Sequence, residues 1–219
     1  MSYCADWENK CLKIKETWPW SDLVGYVMKY ARPGNKNFRV LELGCGSGPN
    51  IPFFKSLKIQ YYSIDGCKTV VEQQKKRFPK YSQNIIRGDF TKEIPFDAKF
   101  DLVADRASLF CDNTKNIKDC IALIHKKLKP NGKFIGIDWP STLDSNYSKK
   151  LAVDDEYTCR NFTKGPFANL KRPVHFSDKK HLFDLFNNFT FKIMEHKIIK
   201  QQIPDKKLVI AKWNFVAVK

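Results

Sequence analysis

No apolar run in the 219-residue sequence approaches the roughly 20 residues needed to span a bilayer. The first residues, Met1-Ser2-Tyr3-Cys4-Ala5-Asp6-Trp7-Glu8, lack a basic stretch followed by an apolar one, so no secretory signal is expected. No two cysteines have C-x-x-C spacing, and their number, seven, is odd. Cys45, Cys67, Cys111 and Cys120 fall within or beside predicted elements. A reduced, cytoplasmic protein explains this better than a disulfide framework. The four histidines have no ligand spacing, which argues against a zinc site. No repeat and no second domain is visible, and the chain is long enough for one α/β domain spanning 1–219. Acidic residues are in deficit: 23 Asp and Glu against 39 Lys and Arg leave a net charge of +16. That favours acidic partners such as nucleic acid, phosphorylated small molecules or an anionic membrane surface. The excess is mostly scattered lysine, however, and Lys, Asn, Ile and Phe are all plentiful, a bias that an A·T-rich coding sequence produces without any binding need.

What the sequence does have is one dense stretch, Arg39 to Asn50. Val40, Leu41 and Leu43 suit a buried strand. The strand stops at Gly44, Gly46 and Gly48, and Pro49-Asn50 opens an apolar segment, Ile51 to Leu57, that suits a helix. Strand, glycine turn and helix begin a nucleotide-binding α/β unit. The spacing is G-x-G-x-G and not the G-x-G-x-x-G of the dinucleotide fingerprint. Taken alone, the turn is equally compatible with an αβ connection that binds nothing.

Later strand ends add carboxylates. Gln60 to Asp65 reads as a second strand whose terminal acid lies about 20 residues beyond the glycines, the interval at which nucleotide folds place an acid on the ribose hydroxyls. Thr69 is the expected cap of the next helix, which runs to Phe78 and stops at Pro79. A third strand, Asn84 to Arg87, ends at Gly88-Asp89-Phe90, and a fourth, Phe100 to Asp105, continues into Arg106-Ala107-Ser108.

Glu42-Leu-Gly44-Cys45-Gly46-Ser-Gly48, followed by Asp65, Asp89 and the F-D-L-V-x-D form ending at Asp105, resembles class I S-adenosylmethionine-dependent methyltransferases. The resemblance covers Arg39 to the end of the chain. It implies a Rossmann-like seven-stranded, mostly parallel sheet with an antiparallel C-terminal strand and helices on both faces. It further implies S-adenosyl-L-methionine as cofactor. Glu42, Gly44, Cys45, Gly46, Gly48, Asp65, Gly66, Asp89, Phe90 and Asp105 are then the expected cofactor-binding residues. In that reading Glu42 lies near the ammonium group through water, Asp65 takes the ribose diol, Asp89 takes the adenine amino group and Phe90 packs on the ring.

The N-terminal part, 1–35, is expected to form a helical lid. Its helix would be capped by Ser21 or Asp22, run to about Tyr30 and bury Leu23, Val24, Val27 and Met28. Trp18 and Trp20 either line the cleft or anchor that helix. A helix over Asn116 to Lys129 and a turn at Lys129-Pro130-Asn131-Gly132 lead into a strand over Lys133 to Asp138. Residues 139–175 have no steady period and read as a variable substrate-side insertion. Ser177-Asp178 caps a further helix, and Phe189 to Ile203 and Lys207 to Lys219 read as two final strands.

Asp105 is the best-placed carboxylate for catalysis, with a structural or cofactor contact as the equal alternative; His175 is a weaker candidate base. Arg106, with Trp20, is a candidate for binding an anionic acceptor, or else forms a salt bridge. Three functions follow: a small-molecule methyltransferase, a nucleic-acid methyltransferase, or a non-catalytic binder of the cofactor. Asp105-Arg-Ala-Ser stands where a base-flipping Asn-Pro-Pro-Tyr would be, against the second. Asp105-Arg-Ala-Ser-Leu and the later His175-Phe176 resemble small bacterial methyltransferases of modified sugars and surface glycans. A sugar or phosphate-containing small molecule, methylated on oxygen, is thus the expected acceptor.

Overall fold

The computed structural model describes Glu8 and residues 16–170, 172–205 and 207–219. Apart from Glu8, the segment Tyr3 to Lys15, with Cys4, lies outside the described residues. Helix α1 spans Ser21–Tyr26 and winds on as a π-turn over Val27–Ala31, which Arg32 closes in the left-handed region at φ 49°. Neither Ser21 nor Asp22 caps it; Trp20 stands at the cap without a side-chain bond. The buried face is Leu23, Tyr26 and Val27, and Met28 is exposed. The wider π-turn rotates the last positions away from the 3.6-residue period that predicted Met28 inside.

Strand β1 (Arg39–Leu43), helix α2 (Ile51–Ser56) and strand β2 (Gln60–Asp65) lie where the sequence puts them. Helix α3 runs over Lys68–Arg77 with Cys67, not Thr69, at its cap; the Thr69 N–H instead donates to Glu8 Oε1 at 2.7 Å. Strands β3 (Ile85–Arg87) and β4 (Phe100–Arg106) follow. Helix α4 (Thr114–Lys127) starts two residues earlier than expected because Asn113 caps it, accepting the Asn116 N–H at 2.9 Å. Strand β5 (Leu128–Pro140) includes the expected turn as a bulge: its pairing with β4 jumps from Phe100–Leu128 to Leu102–Lys133, and Asn131 sits at φ 61°.

The stretch after β5 is built, not irregular. Strands β6 (Ala152–Asp155), β7 (Thr158–Cys159) and β8 (Val174–His175) form their own antiparallel sheet. Its apolar residues Cys159, Phe162, Val174 and Phe176 pack with Phe110 and Cys111. The strands are only two to four residues long, too short for a period-2 signal to show. Helix α5 (Lys179–Leu185) is capped by Asp178, which accepts the His181 N–H at 2.7 Å. Strands β9 (Thr190–Lys200) and β10 (Val209–Val218) complete the main sheet.

The seven strands lie in the order β3-β2-β1-β4-β5-β10-β9, and β10 alone runs opposite to the other six. This is the Rossmann-like arrangement expected. Residues of α1, α2 and α3 cover one face, packing on Val40, Tyr61, Leu102, Ile135 and Ile137. Residues of α4 and α5 cover the other, over Leu41, Leu43, Val103, Phe134 and Phe215. Burying each such side chain contributes about 1.5–3 kcal/mol. The described part of the expected lid is therefore a layer of the sandwich, with Leu23 and Val27 fully buried against the sheet.

One residue breaks the regular alternation of β5. Asp138 has φ 60°, its N–H donates to Asn214 Oδ1 at 2.9 Å, and the β5–β10 register shifts between Trp213 and Phe215. Ile135 and Ile137 face α1, and Trp139, two residues further on, faces the opposite side with Phe134.

Candidate active site

The three turn glycines all have positive φ: 67° at Gly44, 53° at Gly46 and 75° at Gly48. Two are glycine because the protein packs onto them. A Cβ on Gly44 would lie 2.5 Å from Ser108 Cβ, and one on Gly48 would lie 2.3 Å from Gln74 Oε1. Gly46 differs: a Cβ there would meet none of the described residues within 4 Å. The same holds nearly for Gly66 after β2, whose Cβ would meet only Gly88 O at 4.0 Å. Open space over Gly46 and Gly66, at adjacent strand ends, is a place where a ligand can approach bare backbone.

Asp65 ties these positions together. Its Oδ2 accepts the Gly46 N–H at 3.0 Å and its Oδ1 the Cys67 N–H at 2.9 Å. Burial raises its pKa against those two bonds. Each carboxylate oxygen keeps a further lone pair. Glu42 lies beneath the turn, its Oε1 accepting from Asn50 Nδ2 at 2.7 Å and its Oε2 from the Tyr61 hydroxyl at 2.6 Å. Burial pushes its pKa up to about 7 against both bonds, with the charges of Asp65 and Asp105 adding to the rise. Asn50 also accepts the Trp20 N–H at 3.2 Å, linking the start of α1 to the turn. Cys45 is buried, and desolvation holds its thiol well above the ordinary range, so only its backbone serves the turn.

At the end of β3, Asp89 Oδ1 accepts the Thr91 N–H at 3.0 Å and the Thr91 hydroxyl at 2.6 Å. Phe90 departs from expectation. Its ring is fully buried in the core with Leu41, Leu43 and Ile64, so it offers no face to a ring beside it.

The expected catalytic residues are corrected by their surroundings. Asp105 is fully buried and holds three donors. Its Oδ1 accepts from the Ser108 hydroxyl and from the Leu109 N–H at 2.9 Å, and its Oδ2 accepts from Trp139 Nε1 at 2.7 Å. Desolvation raises its pKa to about 6 despite these donors. It orders the β4 end and cannot touch an acceptor. His175 is also buried; its Nδ1 is 3.2 Å from Thr158 Oγ1 and its Nε2 3.0 Å from His181 Nε2. Burial, with His181 beside it, lowers its pKa to about 3. It is a neutral structural residue of the small sheet.

Arg106 forms the salt bridge and does not stand free for an anion. Its Nη2 lies 2.7 Å from Asp138 Oδ2, and Asp22 is 4.0 Å from Nε. Its guanidinium stacks 3.4 Å from the centre of the Trp20 ring, which takes up one face of that indole. Lys197 reaches Asp22 at 3.2 Å and Lys212 reaches Asp138 at 3.4 Å. The residues that sequence reasoning missed are the partners: Asn50, Tyr61, Ser108 and Trp139. Ser108 lies two residues past the fourth strand and Asn50 within the glycine stretch itself, both signals available in the sequence; Tyr61 and Trp139 belong to distant segments.

Residues 41–136 match the family model described as a methyltransferase domain. No curated protein sequence matches the chain. Among solved structures, a S-adenosylmethionine-dependent methyltransferase from Methanosarcina mazei is similar at 16% identity and TM-score 0.66, over 92% of this chain and 98% of that one. A 1,6-didemethyltoxoflavin-N1-methyltransferase from Burkholderia thailandensis is similar at 16% identity and TM-score 0.63, over 91% and 77%. An amino pentose methyltransferase from Micromonospora echinaspora is similar at 14% identity and TM-score 0.56, over 97% and 91%. At these identities the likeness is one of fold. The open glycine face fits S-adenosylmethionine, the matched methyltransferase domain spans 41–136, and the sheet completed by β10 and β9 has the fold of the solved S-adenosylmethionine-dependent methyltransferases.

Proposed function

We propose that the enzyme methylates a small molecule, on oxygen, and that the acceptor is a sugar and not a phosphate ester. The observation that carries this is the pairing of the cations at the ends of β4 and β5. Arg106, Lys197 and Lys212 are shared between Asp22 and Asp138. A phosphate or a nucleic-acid backbone arriving there would have to displace a carboxylate from each cation. A neutral hydroxyl-bearing acceptor would not. The amino pentose and toxoflavin methyltransferases, both acting on small molecules, support the small-molecule part of the reading by analogy of fold.

The bound cofactor supplies a methyl group on a sulfonium, already an activated leaving group. The chain's own contribution is to hold and orient. Gly46 and Gly66 leave backbone open to it, Asp65 keeps acceptor lone pairs for its hydroxyls, and Asp89 stands at the β3 end for its base. Asp105 keeps the floor rigid through Ser108 and Trp139. Rate enhancement then rests on positioning, which for well-oriented reactants supplies about 7–11 kcal/mol.

Methyl-labelled cofactor incubated with a sugar-containing metabolite extract and, separately, with total RNA tests the proposal. Label in the neutral small-molecule fraction is expected. Label in RNA at physiological salt, with none in small molecules, would make a nucleic-acid methyltransferase the better reading; label only in phosphorylated metabolites would overturn the choice of sugar.

A further inference from the structure

The hairpin joining β9 to β10 runs past the end of the sheet. Lys212 pairs with Pro140 at the carboxyl end of β5, and the β9–β10 ladder continues to Val209 and Lys200. Three more residues at about 3.4 Å each carry it roughly 10 Å beyond β5. Because β10 is antiparallel, this extension stands at the end of the sheet that also carries the glycine turn, Asp65 and Asp105.

What the extension exposes is aliphatic. Ile203 is 90% exposed, and Ile198, Ile199, Leu208 and Ile210 are between 43% and 50% exposed. Ile199 lies opposite Ile210 across the ladder, so the two share one face. The loop after β5 joins the patch: the Ser145 N–H donates to Val209 O at 2.9 Å, and Leu143 in the same loop is 60% exposed. Ile198, opposite Ala211, lies on the other face of the ladder, so the tip shows aliphatic side chains on both faces. Single exposed apolar residues are ordinary, but several on one protruding tip mark a contact surface.

The charges between these residues select the partner. From Ile198 to Ala211 the chain carries Lys200, Lys206 and Lys207 against one acid, Asp205. No aromatic residue lies in that segment, so it offers no platform for stacked bases. A second copy would bring two tips of the same sign together. An anionic bilayer meets both properties: aliphatic side chains enter the interface while lysine stems lie along them and keep the ammonium groups at the phosphates. We propose that the β9–β10 hairpin docks the enzyme on an anionic lipid surface, with Ile203 and Leu208 inserted and Lys200 and Lys207 at headgroup level. Docked in this way, the protein turns the cofactor end of its sheet toward the lipid.

Sedimentation of the full chain with vesicles tests this. Vesicles of phosphatidylglycerol mixed with phosphatidylcholine should retain the protein at least about tenfold better than phosphatidylcholine alone, and added salt should weaken retention. Ile203→Glu with Leu208→Glu should lose about tenfold or more on anionic vesicles. Lys200→Gln with Lys207→Gln should lose roughly fivefold per lysine. Thermal unfolding and S-adenosylmethionine affinity should be unchanged in both variants, which separates a docking defect from a failure of the fold or of the methyltransferase site. Equal retention of wild type and the Glu variant would overturn the proposal by showing that scattered charge suffices. Absence of retention on either vesicle would overturn it as well. A dimer in light scattering that dissociates in the Glu variant, without vesicle binding, would assign the patch to a second copy instead.

Discussion

The indole N–H of Trp139 donates to Asp105 Oδ2 at 2.7 Å, between two fully buried side chains on adjacent strands. Asp105 is thereby the hub of the β4 end. Removing one donor leaves a buried carboxylate short of a partner, at a cost of about 1–3 kcal/mol. Trp139→Phe should therefore lower the unfolding free energy by about that amount, plus a smaller loss from the shrunken ring. Denaturant unfolding measures it. An unchanged stability would mean that Asp105 is neutral and needs no third donor.

Two glycines of one turn should respond oppositely to the same substitution. Gly44→Ala forces a Cβ within 2.5 Å of Ser108 Cβ and should unfold or badly destabilise the protein. Gly46→Ala meets no atom of the described residues, so its positive φ of 53° sets the cost in stability, about 1 kcal/mol. It should nonetheless lose about tenfold or more in S-adenosylmethionine affinity, because the added methyl occupies the open face. Melting temperature and calorimetry on the two variants give both answers.

Glu42, with a pKa of about 7, is partly protonated at neutral pH in the free enzyme. A cationic cofactor bound above it favours the carboxylate and expels the proton. Binding should therefore tighten as pH rises through 7, with up to about one proton released. Calorimetry in buffers of different ionisation enthalpy reads the proton count. The same shift has a stability consequence. The folded state holds the Glu42 proton above the unfolded pKa of 4.5, so this group destabilises the free enzyme progressively from about pH 4.5 to pH 7. Glu42→Gln should gain on wild type over that window and lose its proton release on binding. A constant stability difference across it would refute the raised pKa.

Arg106→Met should behave as a folding lesion. Asp138 is buried, and Arg106 is its nearest cation at 2.7 Å. Leaving that carboxylate with only Lys212 and Lys197, at 3.4 and 3.9 Å, should cost roughly 3 kcal/mol. Chemical denaturation tests it, and a stable variant with only a raised acceptor KM would restore Arg106 to the acceptor site.

The main sheet could be read from the sequence because its parallel strands are short apolar runs closed by glycine or an acid. β1 and β2 are bounded as expected, and the glycine turn carries its function in its spacing. The site's acids were visible as well, but their roles were not. Whether Asp105 is a base or a hub depends on Ser108 and on Trp139, the latter 34 residues away in sequence, and no local pattern encodes that bond. Phe90 followed the family position, yet its ring is core. The small sheet was missed because two-residue strands have no period. Met28 was misplaced because the helix changes its winding at Val27.

The left-handed residue Asp138 sets β5 out of phase with itself. Before it, odd-numbered side chains face α1; after it, the odd-numbered Trp139 faces away. The strand is thus written in two reading frames, one for the helix layer and one for the Asp105 hub. Returning residue 138 to the regular extended conformation, with no residue removed, would put the strand back in one frame and turn Trp139 toward α1. Asp105 would lose its indole donor, and Arg106 its closest acid, in one event. The ion cluster and the buried hub are joined through consecutive residues of β4 and β5, and neither can be re-registered without the other.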